Sequence, residues 1–159
     1  HSISKNREAE DGLPLVVRAA VEVHRIPLEK LVVPATVIDL AGKTVISGPH
    51  ISQHGEADIA GSILRTGWSD GYLAGDRLPA PVMTVEAAAY LLQAGVGTVA
   101  SDFPLSESAA DMLIHNNCVV IYSLTNLGEI EKNIVRLVAL PVKREGAKIA
   151  PVRVIAMED

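Results

Sequence analysis

The sequence holds one cysteine in 159 residues, and that scarcity excludes an intramolecular disulfide framework. The cysteine, Cys118, sits in the apolar run Cys118-Val119-Val120-Ile121, where a buried and inert thiol is expected. This usage suits an intracellular, cytoplasmic protein. No stretch approaches the roughly 18 apolar residues that a membrane-spanning helix needs, and no basic segment followed by an apolar one marks a signal peptide. A membrane partner is therefore not expected. Dense Lys/Arg patches are also missing, which argues against nucleic acid as a partner. Aromatic residues make up only 3% of the chain, and no internal repeat is visible.

What is present fits one globular domain spanning residues 1–159. Hydrophobic residues make up 48% and charged residues 21%, with a formal net charge of −5, ordinary values for a chain able to bury its own core. Residues 1–12 are polar without an apolar period and read as a mobile lead-in.

Leu15 to Val23 is apolar at nearly every position, and Leu31 to Leu40 carries the β-branched enrichment of a buried strand. Ile63 to Gly67 reads as a short strand entering a turn, and Trp68 to Pro81, rich in Gly, Asp and Pro, as the longest loop. Thr84 is placed to cap a helix over Val85 to Ala94, with Gly95 at its C′ position. Val96 to Ser101 then reads as a strand, Ser106 or Ser108 as the cap of a helix through His115, and Cys118 to Tyr122 as the next strand. Asn126 and Glu129 have capping-box spacing. Ile134 to Val142 and Pro151 to Met157 predict an antiparallel hairpin around the polar tract Lys143 to Ala147. The sum is an α/β domain with a mixed sheet.

Several segments, in order, resemble the cyclase family of kynurenine-formamidase-like (arylformamidase-like) metal-dependent hydrolases. They are Ile26-Pro27-Leu28-Glu29-Lys30-Leu31, Val37-Ile38-Asp39-Leu40, Ile63-Leu64-Arg65-Thr66-Gly67-Trp68, Gly95 to Asp102, a helix ending at His115, Leu124-Thr125-Asn126-Leu127, and Pro151 to Ala156. The resemblance implies a swivelling β/β/α fold and a homodimer or homotetramer. It also implies hydrolysis of a small amide or lactam, such as N-formylkynurenine in tryptophan catabolism, by zinc or manganese. The family's metal motif, H-x-G-T-H-x-D-x-P upstream of the Ile26 segment, is absent from this chain. His1 matches only the last histidine of its D-x-P-x-H continuation. Two imidazoles and a carboxylate are what such an ion needs to lower the pKa of a bound water. Of two later family ligands, the histidine is matched by His115 and the glutamate by Tyr122, a phenol rather than a carboxylate.

His115 and Asp102 are therefore the candidate catalytic residues, with His115 the one candidate metal ligand. Against them stand a histidine at a helix C-terminus, where the dipole favours a cation, and a carboxylate acting as an ordinary cap or turn residue. Trp68, Tyr72 and Tyr122 are candidates for a substrate pocket, although Trp68 and Tyr72 equally suit a loop pinned to the core. His50, His54 and Glu56 show H-x₃-H-x-E spacing, set against a solvated face. Arg153 alternates with Val152 and Val154 and reads as a solvated or interface residue. Three functions follow: a small-molecule hydrolase; a metal-free relative, a pseudoenzyme, kept for ligand binding or assembly; or an enzyme whose metal site is relocated to His50, His54 and Glu56.

Overall fold

The computed structural model describes residues 15–53 and 60–159. The expected lead-in over residues 1–12, together with His1, His54 and Glu56, lies outside them. In chain order the elements are strand β1 (Val16–Arg18), helix α1 (Leu28–Leu31), β2 (Val32–Asp39), β3 (Val45–Ile46), α2 (Gly48–Ser52), β4 (Gly61–Arg65), α3 (Trp68–Leu73), β5 (Val82–Met83), α4 (Val85–Gln93), β6 (Thr98–Ser101), α5 (Glu107–His115), β7 (Val119–Tyr122), β8 (Ile134–Pro141) and β9 (Ile149–Met157). Seven strands close into a barrel in the order β1-β7-β6-β4-β2-β8-β9, while β3 and β5 form a separate pair. Strands β2, β4, β6 and β7 run parallel to their neighbours in that series, and β8, β9 and β1 close it antiparallel. The mixed α/β sheet expected from the sequence is present.

Alternation along the strands builds two cores. Val37, Ile63, Ala100 and Ile121 fall in the cluster that fills the barrel. Their chain neighbours Ile38, Leu64, Val99 and Val120 face the other way, into a second cluster shared with Ala87, Ala88 and Leu91 of α4 and Ala109, Ala110 and Leu113 of α5. A period of two makes each parallel strand apolar on both faces, as a strand with a barrel on one side and helices on the other must be. The β8 and β9 strands contribute nothing to the second cluster, and Ile134, Leu140, Ile149 and Met157 on their outer face are exposed.

Helix α4 begins as the sequence dictates, with Thr84 Oγ1 accepting from the Ala87 N–H at 3.1 Å, and ends at Gly95 with φ +85°. Cys118 is buried, its thiol donating to the Val96 carbonyl at 3.1 Å, and burial pushes its pKa up. The hairpin of β8 and β9 pairs antiparallel from Arg136 with Met157 to Pro141 with Val152, leaving Arg153 exposed between buried Val152 and Val154.

Three local expectations differ. Residues 68–73 form α3 rather than loop, because the turn before it is fixed from outside the segment. The apolar run Leu15 to Val23 holds the three-residue β1 and leads into a 3₁₀ turn over Val23–Arg25. Ser106 stands at the start of α5, but its hydroxyl is spent on Met83, accepting from its N–H and donating to its carbonyl. Asn126 makes no side-chain cap; it takes the left-handed conformation, φ 61°, ahead of a 3₁₀ turn over Leu127–Glu129.

Candidate active site

The four parallel strands end on one edge, which carries Asp39 at the end of β2, Arg65 at the end of β4, Asp102 just after β6 and Tyr122 at the end of β7. Asp102 organises the middle of that edge. It is 3% exposed, and its carboxylate accepts from the Thr66 N–H at 2.9 and 3.1 Å, from the Thr66 hydroxyl at 2.6 Å and from the Gly67 N–H at 2.7 Å. The Asp102 carbonyl accepts from the backbone and hydroxyl of Ser69. Gly67 stands at φ +84°, a conformation a side chain resists, so the glycine lets β4 turn directly into α3. Burial raises the Asp102 pKa, and the bonds from Thr66 and Gly67 oppose that rise.

Helix α3 links this node to the segment after β7. Asp70 Oδ1 accepts from the Asn126 N–H at 3.1 Å, and Arg65 Nη1 donates to the carbonyls of Leu127 and Ile130 at 3.2 and 3.0 Å. Arg65 also approaches Asp39 at 3.8 Å, an ion pair open to solvent on the Asp39 side. The strap from Ser123 to Ile130 is thereby tied across the strand ends. It contains two left-handed non-glycine residues, Ser123 at φ 69° and Asn126.

The sequence candidates separate in space. Asp102, Tyr122 and Trp68 share the strand-end edge or border it, Tyr122 and Trp68 packing half-buried against the helix-side core. Trp68 and Tyr72 stack, ring centroids 5.1 Å apart, and the Trp68 indole donates to the Leu78 carbonyl at 2.9 Å. Arg77 lies over the Tyr72 ring at 4.6 Å. These contacts pin the 74–80 loop.

His115 lies elsewhere. It ends α5, which returns the chain to the beginning of β7, so it stands at the opposite end of the strands from Asp102. There it is exposed, on a cleft of about 360 Å³ lined with Arg18, Asp111 and Lys148. His50 is half-buried at the start of α2, its Nδ1 accepting from the Ser47 N–H at 3.2 Å. The residues that sequence reasoning passed over are Thr66, Arg65 and Asp70, whose partners are brought in from distant parts of the chain, and Ser123 on the strap.

The described residues do not fit a divalent cation. Among them no three His, Cys, Asp or Glu side chains converge. The Asp102 oxygens already accept three donor groups, and position 122 offers a phenol.

The Cyclase family profile matches residues 10–122. Three of the solved structures that share the fold illustrate the likeness. One is described as a potential metal-dependent hydrolase with cyclase activity, 20% identical, TM-score 0.76, over 98% of this chain and 85% of that one. The second is a predicted metal-dependent hydrolase from Bacillus stearothermophilus, 19% identical, TM-score 0.75, over 98% and 84%. The third is an isatin hydrolase bound to the product analogue thioisatinate, 19% identical, TM-score 0.72, over 98% and 79%. No curated protein compared with the chain matches it. With most of its length matched by the family profile, the chain belongs to the Cyclase family.

Proposed function

We propose that this protein is a hydrolase-like member of its family that takes a small amide or lactam at the C-terminal edge of β2, β4, β6 and β7. The observation that carries the reading is the node of Asp102, Thr66 and Gly67, where a buried carboxylate fixes the turn at the strand ends. Ligands of open parallel sheets and of barrels sit at such edges and mouths, because chain turns there leave polar groups facing a crevice. Asp102 is a positioning residue in this reading. It holds the Thr66-Gly67 turn and the start of α3, and through Asp70 that helix holds the strap. Trp68 and Tyr72 supply an aromatic wall, and Tyr122 ends β7 on the same edge.

One structural neighbour is an isatin hydrolase, so isatin is the first lactam to try. N-formylkynurenine, an aryl formamide, is the acyclic counterpart. Zinc or manganese, if held, would need ligands from outside the described residues. The reading also takes the swivelling β/β/α description, a cytoplasmic setting and a homodimer or homotetramer. The outer face of β8 and β9, where Ile134, Leu140, Ile149 and Met157 are exposed among the described residues, supports self-association.

A second reading, a metal-free relative that binds without turnover, is favoured by Tyr122 in place of a carboxylate. One experiment separates the two: bound metal is measured while the protein is assayed on isatin and formanilide, with and without added zinc or manganese. Turnover with stoichiometric metal supports the hydrolase. Binding with neither metal nor turnover supports the second reading, and no binding at all defeats both.

A further inference from the structure

Two buried side-chain oxygens among the described residues lack any hydrogen-bond partner, Ser123 Oγ and Thr125 Oγ1. They sit two positions apart on the same strap. Folded proteins pair nearly all buried polar atoms, because an unpaired one keeps its desolvation cost with nothing to offset it. Two such atoms two residues apart, with Ser123 also held at φ 69°, concentrate unfavourable terms in a single short segment. Ser123 follows the last residue of β7, next to the strand that Asp102 terminates, and the Leu124 N–H donates to the Ser101 carbonyl. The unsatisfied hydroxyls therefore belong to the strand-end edge.

We infer that the Ser123 and Thr125 hydroxyls form a hydrogen-bonding subsite for the amide group of a small amide or lactam, an inference that rests on the function proposed above. A hydroxyl both donates and accepts, and an amide offers a carbonyl acceptor and an N–H donor, so the pair can satisfy both at once. A neutral ligand suits the place better than an anion. Arg65, the cation tied to this strap, is already engaged by the carbonyls of Leu127 and Ile130 and by Asp39. Tyr122 and Asn126 beside them are half-buried and Gly128 is exposed, so the strap reaches the surface next to the two hydroxyls.

The test compares Thr125→Val, Thr125→Ser and Ser123→Gly with the unaltered protein. Affinity for isatin and for formanilide is measured by calorimetry, and the melting temperature is measured without ligand. Valine keeps the shape of threonine without its hydroxyl, serine keeps the hydroxyl, and glycine suits the left-handed conformation at 123. The subsite predicts binding about fivefold weaker in Thr125→Val and in Ser123→Gly, the worth of one neutral hydrogen bond. It also predicts near-normal binding in Thr125→Ser and melting temperatures equal to or above that of the parent. Unchanged affinity in both hydroxyl-free variants would overturn the subsite alone and leave the hydroxyls to enclosed water. A lowered melting temperature in Thr125→Val would overturn it too, since the hydroxyl would then have a structural partner. If the parent protein binds neither probe, the proposed function falls and the subsite with it.

Discussion

Asp102 holds Thr66 twice, through its backbone N–H and through its hydroxyl, and the Thr66 oxygen passes the contact on by accepting from the Trp68 N–H at 3.2 Å. Carboxylate, turn and helix start are therefore one unit. Asp102→Ala leaves the N–H groups of Thr66 and Gly67 without their acceptor, at an expected cost of about 3 kcal/mol. Thr66→Val removes one donor while the carboxylate keeps two others, and about 1 kcal/mol is expected. Urea denaturation of both variants checks the ranking.

The same carboxylate sets a pH dependence. Its folded pKa is raised above 3.8 chiefly by burial, so in that window the folded state binds more protons than the unfolded one. This contribution is fully present below 3.8 and is lost as pH rises through the folded pKa. Asp102→Asn should lack that component, and the difference in stability between parent and variant, followed by denaturation from pH 3 upward, reads it directly.

Arg65 and Asp39 should behave unequally although they form an ion pair. Asp39 is largely solvent-exposed, and such pairs contribute about 0.5 kcal/mol or less, so Asp39→Asn is expected to be nearly neutral. Arg65→Met leaves the Leu127 and Ile130 carbonyls without their donor and is expected to cost about 2 kcal/mol. Thermal denaturation distinguishes the two; equal effects would place the worth of Arg65 in the ion pair.

Much of the scaffold could be read from local pattern. Thr84 and Gly95 bracket α4 because capping is decided within a few residues, and the β8–β9 hairpin follows from alternation on either side of a polar turn. Helix α3 could not be read that way. Its start is fixed by Asp102, more than thirty positions away, and its own Gly71 and Asp70 speak for a loop. The site shows the same limit. Asp102 stands out at a strand end, but the carboxylate's partners in the turn after β4 and the tie from Arg65 to the strap are products of strand order. The family resemblance sets His115 beside Asp102 as a site residue, yet a helix crossing between parallel strands carries its two ends to opposite edges of the sheet.

That separation carries its own expectation. His115→Ala should leave the affinity for isatin and the melting temperature within error of the parent values, since the imidazole is exposed and far from the strand ends. A calorimetric titration is sufficient.

The exposed apolar side chains on the outer face of β8 and β9 predict self-association through Leu140 and Met157, which are 52% and 49% exposed among the described residues. Leu140→Asp with Met157→Asp should yield monomer by analytical ultracentrifugation where the parent forms a dimer or tetramer. A parent that sediments as monomer removes this part of the account.

The most direct measurement is a titration of the labelled protein with isatin, followed by backbone amide chemical shifts. The account predicts that the changes gather at Thr66, Gly67, Asp102, Ser123 and Thr125. Changes gathered instead around Arg18, His115 and Lys148 would place the binding site at the other end of the barrel and contradict it.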